Sequence, residues 1–136
     1  TQKISTMVRQ QQFSFEDAAV GQAIGTFLQN TPEFDFRSSR VHKFESKIRD
    51  AAPSNYAPVI KELKRMQRIF QVSPTPEVMQ SLIKNGFFSA HDIASFPQKS
   101  FVKRYANELG GTELAESVYQ RAGFNSARTE YAVMKV

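Results

Sequence analysis

Hydrophobic positions along the chain repeat mostly at helical spacing. Apolar residues fall three or four positions apart in 16–30, in 57–72 and again in 101–119, which is the pattern of amphipathic α-helices. No stretch shows convincing strand alternation. The pattern therefore predicts an all-α fold, a compact array of about 6–8 short helices.

Local signals mark the start of the first predicted helix, which ends at Asn30. Ser14 precedes it, and Asp17 follows three residues later in a variant of the capping box. Gly21 and Gly25 lie one turn apart on the same face of this helix. We expect a neighbouring helix backbone to approach at this pair, because glycine leaves room for close contact.

The segment "TPEFDFRSS" breaks the helical pattern with a proline. Its two phenylalanines, Phe34 and Phe36, alternate with polar residues. They predict an extended turn that is anchored to the core by both rings. Ser38 or Ser39 is then predicted to cap a helix over 39–50.

The clearest helical pattern covers 57–72 and has Pro58 in its first turn. After it, "SPTPE" at 73–77 predicts a stiff connector and the best internal boundary. We therefore expect an N-terminal helical lobe over 1–72 and a C-terminal helical-hairpin lobe over 77–136, packed together as one domain. The chain begins without Met, which indicates a piece of a longer protein.

Turn residues divide the C-terminal lobe into further helices. Thr75 and Pro76 predict a helix start, and Asn85–Gly86 its end. Ser89 is predicted to cap a short helix, and Pro97 to begin a longer one that ends at Gly110–Gly111. Another helix follows, and 125–135 is predicted as a final helical segment. The C-terminal part of the array is therefore expected to be helix-hairpin-helix-like.

Few residues of the chain are suited to catalysis. The sequence has no Cys and only two His, which excludes thiolate chemistry and disulfides, and no metal-binding His pair is present. Asp92 follows His91, but acidic residues are common in the first turn of a helix. Nucleotide-binding glycine motifs are absent. We therefore expect no enzyme and no catalytic, cofactor-binding or metal-binding residues.

The net charge of +5 draws attention to the basic residues. A stripe of four lies at helical spacing within 57–72, and a basic pair lies within 98–109. These six form the candidate partner or phosphate surface: Lys61, Lys64, Arg65, Arg68, Lys103 and Arg104. We favour a solvated or partner-facing surface over a nucleic-acid site, since no aromatic platform accompanies the stripe.

The alternative function is DNA binding by a helix-hairpin-helix-like turn. Such modules hold a phosphate on backbone N–H groups after a Gly-apolar-Gly turn. Gly111, Ala115 and Val118 match the later positions of that pattern. Leu109 replaces the first glycine, which argues against a phosphate-binding turn but preserves the packing pattern.

Three longer segments together resemble a known family. "FLQNTPEFDFRSSRV", "ELKRMQRIFQVSPTPEVMQSLIKNGFFSAHDIASFPQKSFVKRY" and "ELGGTELAESVYQRA" are similar to the N-terminal region of the A subunit of insecticidal Tc (ABC-type) toxins and virulence-plasmid A proteins. The resemblance covers about residues 27–128. It rests on Leu63, Lys64, Met66, Gln67, Arg68, Phe70, Pro74, Ser89, Ala90, Ile93, Ala94, Phe101, Tyr105, Leu109, Gly110, Tyr119 and Ala122. Val72 and Ser73 depart from the Leu and Thr expected there.

The resemblance implies a role within a large assembly. The family's A subunits form secreted pentamers in which an α-helical shell surrounds a channel that passes a toxic enzyme. This chain would belong to the shell and would carry no catalytic residue, no cofactor and no membrane span. Its implied partners are protein: other parts of the same large subunit, within a homo-oligomer.

Overall fold

The structure is a computed structural model that describes the backbone of Gln2–Lys135 and the side chains of residues 2–125. This part of the chain forms eight α-helices, one 3₁₀ helix and no strand, so the all-α prediction is confirmed. The helices are α1 (Gln2–Arg9), α2 (Ala18–Asn30), α3 (Glu45–Ala51), α4 (Tyr56–Val72), α5 (Pro76–Lys84), α6 (Ala90–Ala94), α7 (Gln98–Leu109) and α8 (Thr112–Lys135), and the 3₁₀ helix is Val41–Phe44.

The helices pack as two units, residues 1–67 and 68–136, and the division falls inside α4. In the first unit, α2 packs against α1 and α3. In the second, α7 packs against α5 and α8, and α6 also packs against α8. The lobes predicted at 1–72 and 77–136 stay a prediction.

Helix α1 was not predicted from the sequence. It buries Ile4, Met7 and Val8, which lie three and four residues apart and form one apolar face. A Cβ added to Gly25 of α2 would lie 3.4 Å from the side chain of Arg9 and 3.9 Å from its Cα. The expected approach of another helix is therefore found at Gly25, whereas the neighbour of Gly21 is the ring of Phe15, which lies between α1 and α2.

The cap of α2 differs from the prediction. The side chain of Asp17, not that of Ser14, precedes the helix and accepts a hydrogen bond from the N–H of Ala19 at 2.9 Å. Asp17 has the extended backbone conformation of an N-cap residue. The capping-box interpretation was wrong because the helix starts one turn later than expected.

The loop after α2 is held by aromatic rings, as predicted. Phe34 and Phe36 are both buried, and their ring centroids lie 5.1 Å apart, nearly edge to face. Phe34 also makes edge contacts with Phe27 and Phe44 at 5.3 and 5.2 Å. Such pairs add about 0.5–1.5 kcal/mol each beyond the burial of their area.

The helix predicted over 39–50 is replaced by two shorter elements, the 3₁₀ helix and α3. The hydroxyl of Ser39 accepts a hydrogen bond from the N–H of Asp35 at 2.9 Å, so it stabilises the loop and does not cap a helix. The amide of Gln67 donates to the carbonyl of Phe36 at 3.1 Å and to that of Ser39. These bonds connect α4 to the loop before the 3₁₀ helix.

The helix starts of the second unit follow the predicted signals. Thr75 caps α5 by accepting a hydrogen bond from the N–H of Val78 at 3.1 Å, with Pro76 as the first helical residue. Ser89 caps α6 through the N–H of Asp92. Gly110 ends α7 in the left-handed conformation, which glycine adopts without strain.

An aromatic cluster forms the core of the second unit. The ring of Phe101, which is fully buried, lies 5.2 Å from that of Tyr105 and 5.8 Å from that of Tyr119, measured between centroids. Phe87 and Phe96 complete the cluster at 6.0 and 6.2 Å. The hydroxyl of Tyr119 donates to the carbonyl of Phe96 at 2.7 Å, so α8 is joined to the loop between α6 and α7.

Candidate functional site

The basic stripe on α4 is smaller than the sequence suggested. Lys61, Lys64 and Arg68 are exposed, whereas Arg65 is buried with 7% of its surface accessible. Its guanidinium pairs with the carboxylate of Glu62 at 3.1 Å. Arg65 is therefore a structural residue whose charge is compensated within the helix.

Helix geometry explains the burial of Arg65. Residues four apart lie on the same side of a helix, and Arg65 is four residues before Ile69, which is fully buried. Lys64 and Arg68 are also four apart, on the neighbouring exposed side. Four residues at spacing i, i+3, i+4, i+7 do not all point in one direction from the helix axis. One of the four basic residues, Arg65, therefore lies at the border of the buried apolar face of α4.

The remaining predicted residues lie in two places. The Nε of Arg68 donates to the carbonyl of Phe88 at 3.2 Å, which ties the end of α4 to the loop before α6. Lys103 and Arg104 lie exposed on α7, and the guanidinium carbon of Arg104 is 5.4 Å from the centroid of the Tyr105 ring. The structure therefore places the predicted basic residues on two helices, with one of them buried.

The turn between α7 and α8 has the packing of a helical hairpin. Leu109, Ala115 and Val118 are buried, and the hydroxyl of Ser81 on α5 donates to the carbonyl of Glu108 at 2.9 Å. Two exposed carboxylates, Glu108 and Glu113, lie beside the turn. Negative charge at this position repels phosphate, so the electrostatics of the turn oppose the DNA-binding alternative.

The acidic neighbour of His91 has a structural role. The carboxylate of Asp92 accepts a hydrogen bond from the N–H of Phe88 at 2.9 Å, while the N–H of Asp92 donates to Ser89. The two bonds satisfy one backbone donor in the first turn of α6 and one just before its N-cap residue, Ser89. His91 is exposed on the adjacent helix position.

The described residues contain neither a candidate metal site nor a helix suited to crossing a membrane. No group of three or more His, Asp or Glu side chains in this part of the chain could hold a metal ion. None of its helices combines the length and the apolar character that crossing a bilayer requires.

A shifted pKa occurs at Glu33. The hydrogen bond from the ammonium group of Lys47 lowers the pKa of this carboxyl, with a smaller contribution from a backbone hydrogen bond. Both partners are about half exposed. The pair therefore belongs to the loop surface and not to an enclosed site.

A groove of about 790 Å³ runs along α2, and the end of α1 and the segment between the two helices line its other side. The segment between the helices contributes Phe13 and Phe15 to it, and Phe15 lies against Gly21, where an added Cβ would come within 2.8 Å of the ring. The groove was not predicted from the sequence, because α1, which forms part of its wall, was not predicted. The spacing of the apolar residues in α1 was the signal that could have predicted both.

Two large apolar side chains are exposed in the described part of the chain. The exposed fraction is 45% for Phe88 and 66% for Phe124. Phe124 lines a shallow groove of about 390 Å³ together with Gln71, Gln120, Arg121 and Asn125. No sequence signal distinguished these two phenylalanines from the buried ones.

Comparison with protein-family models, with curated protein sequences and with solved structures gives no match to this chain. Its function is therefore argued from its own residues and from their arrangement.

Proposed function

We propose that the chain is a non-catalytic helical module that acts through packing and protein contact, as a part of the shell of a Tc-toxin A-subunit-like protein. In this proposal the parent protein is secreted and oligomeric, and the partners of the module are other parts of the same assembly. The module itself holds no cofactor.

The observation that carries the proposal is that several residues of the resembling segments form the buried core. Leu63, Met66, Ile93, Phe101 and Leu109, which belong to the resembling segments, are all buried. A sequence motif that consists of core residues specifies how helices pack, whereas a catalytic motif brings polar groups together in a pocket.

Other motif residues hold the connections between helices. Ser89 caps α6, and Gly110 ends α7. Gln67 holds the loop carbonyls of the first unit, and Tyr119 holds the loop before α7. The resembling segments therefore supply helix caps, turns and cross-links as well as core residues, which supports a structural role.

The alternative, a helix-hairpin-helix-like DNA-binding domain, receives less support. It needs an exposed basic surface and a phosphate-binding turn. Arg65 is withdrawn from the surface, Leu109 occupies the first turn position, and Glu108 and Glu113 lie beside the turn.

A salt titration separates the two functions. Fluorescence anisotropy with a labelled non-specific DNA duplex is measured at increasing salt for the wild type, for Lys64→Glu and for Arg68→Glu. Lys99→Glu on α7 makes the same change of charge at another exposed position. For a protein-contact module, we expect no duplex binding at low salt that depends on α4. Lys64→Glu and Arg68→Glu should therefore give the same anisotropy as the wild type.

Binding that falls steeply with salt would overturn the proposal, provided that it is lost in Lys64→Glu and retained in Lys99→Glu. Displacement of counterions from the duplex by cationic side chains causes that salt dependence. Such a result would assign the basic face of α4 to nucleic acid.

A further inference from the structure

The two exposed phenylalanines both lie in the second unit, and each is next to a residue at the end of α4. Arg68 contacts the backbone of Phe88, and Gln71 lies three residues after Arg68 on the same side of α4. Gln71 in turn lines the groove that contains Phe124. We call this the Phe88–Phe124 surface; it consists of Arg68, Gln71, Phe88, Gln120, Arg121 and Phe124.

The composition of this surface differs from that of a solvated helix face. Phenylalanine and arginine are enriched at protein interfaces, where a central aromatic side chain fills a pocket of the partner. Here two phenylalanines, 45% and 66% exposed, are accompanied by two arginines and two glutamines. An aromatic side chain with this exposure leaves apolar area in water that a partner could cover.

The charge of the surface indicates the chemistry of the partner. Arg68 and Arg121 both carry positive charge there, and both are exposed. Asp92, the nearest carboxylate to Phe88 in the chain, accepts the N–H of that residue and is partly buried. Glu116 lies one turn before Gln120 on α8, outside the groove lining. The surface is therefore complementary to carboxylates.

The polar groups favour a polypeptide over a nucleic acid. The side-chain amides of Gln71 and Gln120 offer donors and acceptors together, as the groups of a peptide do. Phosphates accept hydrogen bonds and require several cations for useful affinity, whereas this surface has two. Its concave part also accommodates a projecting side chain.

We propose that the Phe88–Phe124 surface binds an amphipathic segment of another protein that presents Asp or Glu beside apolar side chains. The inference rests on the proposed function, because it assigns a contact surface to the interaction module. In the proposed complex, Arg68 and Arg121 pair with the carboxylates of the bound segment, and Phe124 is the apolar anchor.

Peptide selection tests this inference. A random peptide library displayed on phage is panned against the wild type and counter-selected against the double variant Arg121→Glu/Phe124→Ala. Both residues are exposed, so the variant should keep the fold, which far-UV circular dichroism checks. We expect enriched peptides in which acidic residues are interspersed with apolar residues at helical spacing.

The selected peptides are then synthesised and their affinities measured by fluorescence anisotropy. We expect binding to be weakened at least about tenfold in Phe124→Ala and in Arg121→Glu, as for a central interface residue. Lys99→Glu, with the same change of charge on α7, should bind like the wild type. Equal binding by all variants, basic selected peptides, or no enrichment over the counter-selection would overturn the inference.

Two further probes test whether the Phe88–Phe124 surface binds a nucleic acid or a lipid instead. Binding of labelled oligothymidylate, or of phosphatidylserine-containing vesicles, that is lost in Phe124→Ala would assign the surface to a nucleic acid or a lipid and overturn the inference. Peptide binding that is independent of Arg121 and Phe124 would reject this surface while the proposed protein-contact function stands. Duplex binding that depends on Lys64 would reject the proposed function instead.

Discussion

Replacement of Phe101 by Ala should destabilise the second unit strongly. Phe101 is fully buried, and its ring lies within contact distance of Phe87, Phe96, Tyr105 and Tyr119. The substitution leaves a cavity in the aromatic cluster, and no neighbouring side chain can fill it without leaving its own contacts.

The expected loss follows from the buried area. A buried Phe removes about 150–250 Å² from water, which at about 25 cal/mol per Å² corresponds to about 4–6 kcal/mol. The Cβ that Ala retains lowers this value, and substitutions of Phe by Ala in protein cores cost about 3–5 kcal/mol. We therefore expect Phe101→Ala to lose about 4 kcal/mol, a large part of the stability of a small domain.

Urea unfolding followed by far-UV circular dichroism measures this loss. The matched control is Phe124→Ala, which removes the same atoms from an exposed position and should change the free energy of unfolding by less than about 0.5 kcal/mol. A loss below about 1.5 kcal/mol for Phe101→Ala, or equal losses for the two variants, would refute the assignment of the core.

Three other substitutions test local features. Tyr119→Phe removes the 2.7 Å hydrogen bond to the carbonyl between α6 and α7 and should cost about 1 kcal/mol in urea unfolding; no loss would mean that water replaces the bond. Gly86→Ala should destabilise by about 1 kcal/mol, because Gly86 has a φ of +84°, whereas Gly123→Ala, inside α8 with open space at the Cβ position, should stabilise by about 0.5–1 kcal/mol; the same sign for both would contradict the backbone assignment. The Glu33 carboxyl should titrate in NMR below the ordinary value of 4.5, and Lys47→Met should raise it. Because the folded pKa is the lower one, the pair stabilises the fold above the unfolded pKa and loses this effect as the pH falls through the folded pKa; an unchanged titration in Lys47→Met would contradict the pairing.

In the second unit, helix ends that depend on neighbouring residues in the chain were predicted correctly, whereas the cap of α2 was not. Thr75 with Pro76, Ser89 and Gly110 act through backbone groups within four residues, so the local sequence contains the whole signal. Burial of the rings of Phe34 and Phe36 was also predicted, because the two residues alternate with polar residues and can point to the same side of an extended segment.

Features that depend on distant residues were not predictable in the same way. A 3₁₀ helix stands where a helix start was expected, and the loop before it is bound by Gln67, which is distant in the sequence. Arg65 is buried because it lies on the same side of α4 as Ile69, which is in the core. Phe87 and Phe88 are adjacent in the sequence, but the first is buried and the second is exposed; tertiary packing alone decides which one faces solvent.

We propose that this chain is a shell module of a Tc-toxin A-subunit-like assembly, and electron microscopy of the natural gene product that contains the sequence can test this proposal. An antibody fragment raised against the chain marks its position in negative-stain images. We expect a five-fold particle with a central channel, labelled on its outer helical shell. A small monomeric particle, or a particle without a channel, would contradict it.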